Sequence, residues 1–285
     1  MLAISAGGYH SAAVLGFLKG VFSTHPERTD WHTIAGISAG ALIGSKIAQI
    51  PPGDRHGFIS AVEELMSDHT RVVHDWSRLG SLVSLASAFF WHESLFKSDL
   101  DKLVKNHWGE RHRTLTVGAY NQSRGFYQSF DDPTQEQVVA SASIPGVMPP
   151  VRIKSSEFVD GAVGHVVPIN EIKSNLGKMD IDLMLCYPTT HKEYLKSCEI
   201  LSKYKLVNRC DSTLNESIWS NMNRDLDCLS DLVGTDIRAG GTFKTGEHEL
   251  RVYVPTKGYY VAFTHPSAQV LKRMHAHGEE VARHV

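Results

Sequence analysis

Short apolar runs and helical segments alternate along the N-terminal part of the chain. The apolar runs predict strands at Leu2–Ser5 and Trp31–Ile37, and the segments behind them predict helices at Ala12–Phe22 and Ala39–Ile47. Two strand-to-helix units in succession are typical of a parallel sheet with both faces covered. We therefore expect an α/β fold with a mainly parallel central sheet wrapped by helices.

The remainder of the chain continues this alternation. Further strands are predicted at Arg113–Tyr120, Phe126–Phe130, Ile181–Tyr187 and Leu250–Val254. Further helices are predicted at His56–Trp108, Ser212–Val233 and Pro266–His284. No repeat, low-complexity tract or linker interrupts the pattern, so we expect one domain over residues 1–285.

Three of these helices have a face with a distinct character. Apolar side chains from Leu79 to Trp91 form a stripe that fits a core helix or, alternatively, a lipid-facing cap. The helix at 212–233 is expected to have an acidic outer surface formed by Asp211, Glu216, Asp225, Asp227 and Asp231. The last helix is expected to expose Lys272, Arg273, His275, His277, Glu279, Glu280, Arg283 and His284 on a solvated face.

Composition narrows the classes of function. The 285 residues include 29 Lys and Arg against 31 Asp and Glu, and nucleic-acid binders usually carry a basic excess, so we expect no nucleic-acid partner. The four cysteines lack the paired spacing of zinc sites and are too few for a disulfide scaffold, which favours free thiols. We find no secretory signal and no apolar run that would span a membrane.

The segment Gly36-Ile37-Ser38-Ala39-Gly40 is a Gly-x-Ser-x-Gly pattern between a predicted strand and a predicted helix. Glycines at Gly36 and Gly40 permit a tight turn that lifts the serine to the helix N-terminus, where the helix dipole favours a developing anion. Ser38 is therefore a candidate nucleophile. The alternative is a glycine-rich packing turn.

A serine nucleophile needs a base, and Asp160-Gly161 offers one. This pair follows the strand-like residues Glu157, Phe158 and Val159, so a sharp turn at Gly161 would leave the Asp160 carboxylate free. The alternative is an ordinary Asp-Gly turn.

Ala6-Gly7-Gly8 lies between the first strand and the first helix. Consecutive glycines allow backbone N–H groups to converge on one point, as an oxyanion hole or a phosphate cradle requires. The dinucleotide fingerprint Gly-x-Gly-x-x-Gly is missing from this loop.

These three elements, in this order, resemble the patatin-like phospholipase family. Ala142–Val151 is similar to the Pro-Gly-x-x-Pro-Pro segment that precedes the family's catalytic aspartate, and Phe263–Pro266 with Gly278–Ala282 resembles its closing helix. The resemblance covers nearly the whole chain. Its most specific part is the combination of Ser38, Ile144-Pro145-Gly146 and Asp160-Gly161.

The resemblance implies a lipid acyl hydrolase in which Ser38 attacks the ester carbonyl and Asp160 is the general base, without a histidine. It further implies that the amides of Gly7, Gly8 and Tyr9 form the oxyanion hole and that neither a metal nor an organic cofactor takes part. The expected partner is a lipid substrate at a membrane surface, phospholipid or lysophospholipid. We expect a cytoplasmic protein with peripheral membrane contact, and the sequence indicates no oligomeric state.

The sequence departs from the family around the oxyanion loop. His10-Ser11 stands where members usually have Arg or Lys followed by glycine, and Ala6 replaces a third glycine. His10 is interpreted either as a donor that substitutes for the missing cation or as a helix-start residue facing solvent. His165-Val166-Val167-Pro168 keeps only the end of the family's pattern, and Arg152 is an exposed strand cation or a contact for a phosphate.

Three alternatives to this mechanism remain at the level of sequence. The first is a Ser-His-Asp hydrolase in which Asp236 with His248 or His265 completes a triad around Ser38. The second is a catalytically silent patatin-like module that binds lipid or protein surfaces. The third is a Rossmann nucleotide-binding protein, which is disfavoured because no acidic residue ends the second strand.

Overall fold

The computed structural model describes residues 1–78, 100, 104–105, 108–145, 148–197, 205–261 and 267–285, and the strands among them form one sheet. The strands are β1 Leu2–Ile4, β2 Thr33–Ile37, β3 Thr114–Asn121, β4 Phe126–Asp131, β5 Val151–Ile153, β6 Ser156–Asp160, β7 Ile181–Met184, β8 Gly241–Thr245 and β9 His248–Tyr253. The α-helices are α1 Ala12–Thr24, α2 Ala39–Ile47, α3 Arg55–Arg78, α4 Gln135–Ser141, α5 Ile169–Asn175, α6 His191–Ser197, α7 Lys205–Val233 and α8 Ala268–Ala282. Short 3-10 helices cover Gly8–Ser11, Pro26–Thr29 and Gly161–Val163.

The centre of the sheet is parallel, in the order β3-β2-β1-β7-β9. Antiparallel strands flank it, with β4, β6 and β5 on the β3 side and β8 on the β9 side. The central strands are buried on both faces, as expected for a parallel sheet between helices. The predicted α/β fold with a mainly parallel central sheet is therefore confirmed.

Close packing of helices depends on small residues. A Cβ atom at Gly44 of α2 would lie 3.0 Å from the Ile34 side chain of β2. Between α1 and α8, a Cβ at Gly16 would lie 2.2 Å from the His275 carbonyl oxygen, and one at Gly278 would lie 2.2 Å from that of Ala13. Glycine is required at both points because no larger residue fits between the two backbones.

A buried polar cluster closes the amino end of the parallel strands. Asp182 of β7 is fully buried and accepts hydrogen bonds from Trp31 Nε1 at 2.6 Å, Arg251 Nε at 2.7 Å and the Tyr253 hydroxyl at 3.2 Å. Arg251 is also buried. The carboxylate is thus both paired and hydrogen-bonded, which is what a charge in a protein interior requires.

Most predicted elements are confirmed within a few residues, and α2 is confirmed at both ends. The long helical prediction at 56–108 is confirmed over residues 56–78 by α3, whereas Trp108 is not helical. The apolar stripe from Leu79 to Trp91 lies outside the described residues. The predicted strand at 181–187 ends at Met184. Among helices of the described part of the chain, none is long and apolar enough to cross a membrane.

Two predictions about helix surfaces are wrong. Asp225 was expected on the acidic outer surface of α7, but it is buried and binds the segment that follows Asp160. His275 and His277 were expected on a solvated face of α8, yet both are buried. His275 lies where α8 approaches α1 most closely: a Cβ at Gly16 of α1 would lie 2.2 Å from the His275 carbonyl oxygen.

Candidate active site

Ser38 occupies a sharp turn between β2 and α2. Its backbone has φ 57° and ψ −125°, a conformation that a residue with a side chain rarely adopts. The flanking glycines make this turn feasible: a Cβ at Gly36 would lie 2.3 Å from the Gly40 carbonyl oxygen, and one at Gly40 would lie 2.5 Å from that of Ile4. The Gly-x-Ser-x-Gly pattern thus forms the strand-turn-helix expected from the sequence.

The topology of β3 brings Asp160 to Ser38. β2 pairs with one edge of β3 as far as Ile37, which lies opposite Gly118, and β6 takes over the same edge with Asp160 opposite Ala119. The last residue of β6 therefore follows directly after the end of β2 along this edge. The Ser38 hydroxyl donates a hydrogen bond of 2.6 Å to Asp160 Oδ2.

The sharp turn at Gly161 had suggested a free Asp160 carboxyl group, but both of its oxygens are hydrogen-bonded. Its second oxygen, Oδ1, accepts a hydrogen bond of 2.8 Å from the Ala162 amide, which belongs to the 3-10 helix Gly161–Val163. Gly161 is needed here because a Cβ would lie 2.4 Å from the Gly118 carbonyl oxygen. The Asp160 amide donates to the Ser143 carbonyl at 2.8 Å.

Burial makes Asp160 a stronger base than an exposed aspartate. The residue is only 3% exposed, and desolvation raises its pKa from 3.8 to about 7, although the hydrogen bonds from Ser38 and Ala162 act in the opposite direction. A carboxyl group with a pKa near neutrality is suited to accept a proton from a hydroxyl group. The arrangement can therefore activate the Ser38 hydroxyl directly.

Sequence reasoning missed Ser141, a buried residue at the end of α4. Its hydroxyl accepts a hydrogen bond of 3.0 Å from the Ser38 amide and donates one of 2.6 Å to the Gly118 carbonyl. The strained turn is thereby tied to β3. The only signal in the sequence is that Ser141 directly precedes the segment Ala142–Val151.

The glycine loop approaches the site from β1. A Cβ at Gly7 would lie 2.1 Å from that of Cys186, whereas Gly8 has φ 49° and no atom within 4 Å of a Cβ position. Within the described part of the chain, neither the Gly7 nor the Gly8 amide donates a hydrogen bond. The 3-10 helix Gly8–Ser11, which includes Tyr9, contacts α2. Amides such as those of Gly7 and Gly8, with no hydrogen-bond partner among the described residues, are what an oxyanion hole needs.

Neither interpretation of His10 holds as stated. His10 is buried, with 8% of the residue exposed, so it does not face solvent, and its Nε2 donates to the Tyr259 carbonyl at 3.1 Å. It also packs on Tyr187 with ring centroids 4.5 Å apart. Burial lowers the pKa of His10 to about 4, so the ring is neutral at physiological pH and does not replace the missing cation.

Of the predicted triad partners, Asp236 and His248 do not meet Ser38. Asp236 is exposed and binds Arg238. His248 is the first residue of β9, at the amino end of the parallel strands, whereas Ser38 follows the carboxyl end of β2. His265 lies outside the described residues. Among residues that the structure describes, no histidine forms a hydrogen bond with Ser38 or Asp160. Arg152 is exposed on β5, in agreement with its interpretation as a surface cation.

Comparison with known proteins adds an independent line of evidence. The chain matches the family profile of patatin-like phospholipases over residues 2–172, more than half of its length. It is 22% identical over 194 residues to the uncharacterized protein R571 of Acanthamoeba polyphaga mimivirus, covering 62% of each chain. Its fold is similar to the crystal structure of VipD from Legionella pneumophila, with a TM-score of 0.45 and 11% identity, over 99% of this chain and 65% of VipD.

The chain therefore spans less than two thirds of the length of either relative. The family match includes β1 to β6, and with them the glycine loop, Ser38 and Asp160. Membership supports lipid hydrolase activity in general terms. The chain belongs to the patatin-like phospholipase family.

Proposed function

We propose that the protein is a serine esterase that hydrolyses acyl esters of phospholipids or lysophospholipids through Ser38 and Asp160. The observation that carries this proposal is the buried hydrogen bond of 2.6 Å between the Ser38 hydroxyl and Asp160 Oδ2. A nucleophile in contact with a base of raised pKa is the minimum that acyl transfer requires.

In the first half of the proposed reaction, Asp160 accepts the Ser38 proton while Ser38 Oγ bonds to the ester carbonyl carbon. The carbonyl oxygen becomes an oxyanion, which the amides of Gly7, Gly8 and Tyr9 would stabilise. Collapse of this intermediate breaks the bond to the alcohol, which leaves with the proton from Asp160. The fatty acyl group stays on Ser38 as an ester.

In the second half, a water molecule attacks the acyl-enzyme ester and gives a proton to Asp160. Breaking the ester bond releases the fatty acid, and the proton returns to Ser38 Oγ. One carboxyl group thus serves as base and acid in each half, and no histidine is needed. His10 contributes no charge because its ring is buried and neutral.

Lipid in a bilayer is the proposed physical form of the substrate, so a cytoplasmic enzyme would contact a membrane at its surface. Family membership supports the lipid class. Neither a metal nor an organic cofactor has a part in the proposed steps, because the carboxyl group moves the proton and the amides stabilise the oxyanion.

The test is release of free fatty acid from mixed phospholipid vesicles with calcium chelated. We expect activity in the intact protein, and a loss of at least about a thousandfold in Ser38→Ala and in Asp160→Asn, since each removes a residue of the reacting pair. Ser45→Ala is the matched control: Ser45 also lies on α2 and is buried, but its hydroxyl binds the Leu42 carbonyl of the same helix. Inactivity of the correctly folded intact protein would favour the silent module.

A further inference from the structure

The two oxygens of Asp160 have separate partners. Oδ2 accepts the Ser38 hydroxyl at 2.6 Å, and Oδ1 accepts the Ala162 amide at 2.8 Å. A planar carboxyl group held at one oxygen has its other oxygen fixed as well. The position of the Ala162 amide therefore sets the direction in which Oδ2 faces the nucleophile.

Ala162 is also held by α7, through the next peptide groups along the chain. Asn221 donates from Nδ2 to the Ala162 carbonyl at 3.0 Å and to the Val163 carbonyl at 3.1 Å. The resulting path runs from Asn221 through Ala162 to Asp160 and on to Ser38. Its links are hydrogen bonds except within Ala162, where the carbonyl group and the amide are joined through the Cα atom. Asn221 is the one member that lies outside the residues matched by the family profile.

The same face of α7 fixes the chain beyond Val163. Arg224 donates to the Gly164 carbonyl, and the buried carboxylate of Asp225 accepts the amides of Val166 at 2.8 Å and Val167 at 3.2 Å. Residues 221, 224 and 225 are spaced as neighbours on one side of a helix. The Val166 carbonyl accepts the Ala6 amide at 2.8 Å, which connects this segment to the start of the glycine loop.

We propose that Asn221 is a positioning residue for Asp160: it holds the carbonyl groups of Ala162 and Val163, and with them the 3-10 helix Gly161–Val163, so that the Ala162 amide stays on Oδ1 and Oδ2 stays on Ser38. The catalytic consequence rests on the proposed function, whereas the effect on the carboxyl group does not. The Ala162 hydrogen bond favours the ionised form of Asp160 and so lowers its pKa. Loss of the Asn221 contacts should therefore raise that pKa above about 7.

The first experiment measures the Asp160 titration without using activity. The free energy of unfolding is compared between a protein and its Asp160→Asn variant from pH 4 to pH 9. The difference changes with pH and then levels off, and the midpoint of this levelling-off, where the slope has dropped to half, reports the native Asp160 pKa. In the Asn221→Ala background we expect the midpoint to rise by about 0.5 pH unit, as for partial loss of a hydrogen bond to a charged group. Asn221→Gln, which keeps the amide donor, should bring the midpoint most of the way back to that of the intact protein.

Asn223→Ala is the matched control. Asn223 lies on the same helix and is half-buried, but its Nδ2 donates to the Trp219 carbonyl four residues earlier in α7. We expect Asn223→Ala to have the same Asp160 midpoint as the intact protein. If Asn221→Ala does not fold, Asn221→Leu, which keeps the side-chain volume, takes its place. Equal midpoints in the Asn221 and Asn223 backgrounds would overturn the proposal.

The second experiment is kinetic and uses a soluble short-chain ester. We expect Asn221→Ala to lower kcat about tenfold and to change KM less than about twofold, because the base is misoriented while the substrate site is intact. The acidic limb of the pH–rate profile should move to higher pH, because the Asp160 pKa rises. A general loss of folding would reduce active enzyme without moving that limb. If Ser38→Ala kept full activity, the proposed function would fail, and the unfolding experiment would still decide the role of Asn221.

Discussion

Replacing Asp160 by asparagine should stabilise the protein at neutral pH while removing its activity. The carboxyl group is buried, and its pKa is raised from 3.8 to about 7, so the folded state disfavours the charged form. Asparagine keeps the shape and has no charge. Its side-chain oxygen can still accept from the Ala162 amide, so this contact contributes equally at every pH.

The size of the effect follows from linkage. Between pH 3.8 and about 7 the folded state binds more protons at Asp160 than the unfolded state does, so this group makes the free energy of unfolding fall as pH rises. The difference of roughly three pH units corresponds to about 4 kcal/mol at 1.36 kcal/mol per unit. The destabilisation is complete above about pH 7 and vanishes below about pH 4.

Urea unfolding of the intact protein and of Asp160→Asn, at half-unit steps from pH 4 to pH 9, measures the difference directly. Other titrating groups, such as His10, are common to both proteins and cancel. Ser38→Ala provides the matched control, since it keeps the carboxyl group but removes one hydrogen bond to it. When Ser38→Ala is compared with the double variant that also carries Asp160→Asn, the difference should level off at a higher pH than for the intact protein, because the Ser38 hydrogen bond lowers the Asp160 pKa. A difference that stays constant across this range would refute the assignment of a raised pKa to Asp160.

Three further predictions rest on the same geometry. Esterase kcat/KM should rise with pH and level off above about pH 7, because Asp160 must be ionised to accept the proton; a flat profile from pH 5 to pH 8 on a soluble ester would contradict this. Gly40→Ala should lower stability by several kcal/mol in urea unfolding, because its Cβ would lie 2.5 Å from the Ile4 carbonyl oxygen, whereas Gly8→Ala should cost about 1 kcal/mol, since only its positive φ opposes the change. Asp182→Asn should cost about 3 kcal/mol by removing the fully buried carboxylate that binds Arg251, which keeps only the more exposed Glu249 and Asp180, and equal stability of this variant would show that the buried pair is dispensable.

The sequence predicts the nucleophile well because its signal is local. Ser38 is flanked by Gly36 and Gly40, and the close contacts at both glycines are made within the strand-turn-helix and with β1. The prediction for Asp160 needed the family resemblance, since an Asp-Gly pair alone does not reveal a nearby serine 122 residues earlier. Their meeting depends on β6 following β2 along one edge of β3, which no local pattern encodes.

Some missed features left a readable signal. Thr134 and Gln137 form a capping box at the start of α4, the helix that carries Ser141. Asp225 lies three residues after Met222 and four before Leu229, both buried, so its spacing places it on the inner face of α7. By contrast, β8 is a half-exposed strand with weak alternation, and the contacts of Asn221 with Ala162 give no sign in the sequence.

The position of β1 has a consequence for how the protein is made. β1 pairs with β2 on one side and with β7 on the other, and β7 begins at Ile181, beyond the last residue matched by the family profile. A fragment cut at residue 172 would therefore expose the unpaired hydrogen-bonding groups of β1, which precedes the glycine loop, and would lack the α8 surface against which α1 packs. Such an edge is a template for association with other chains. During synthesis, the growing chain remains open to aggregation at β1 until the segment that carries β7 has left the ribosome.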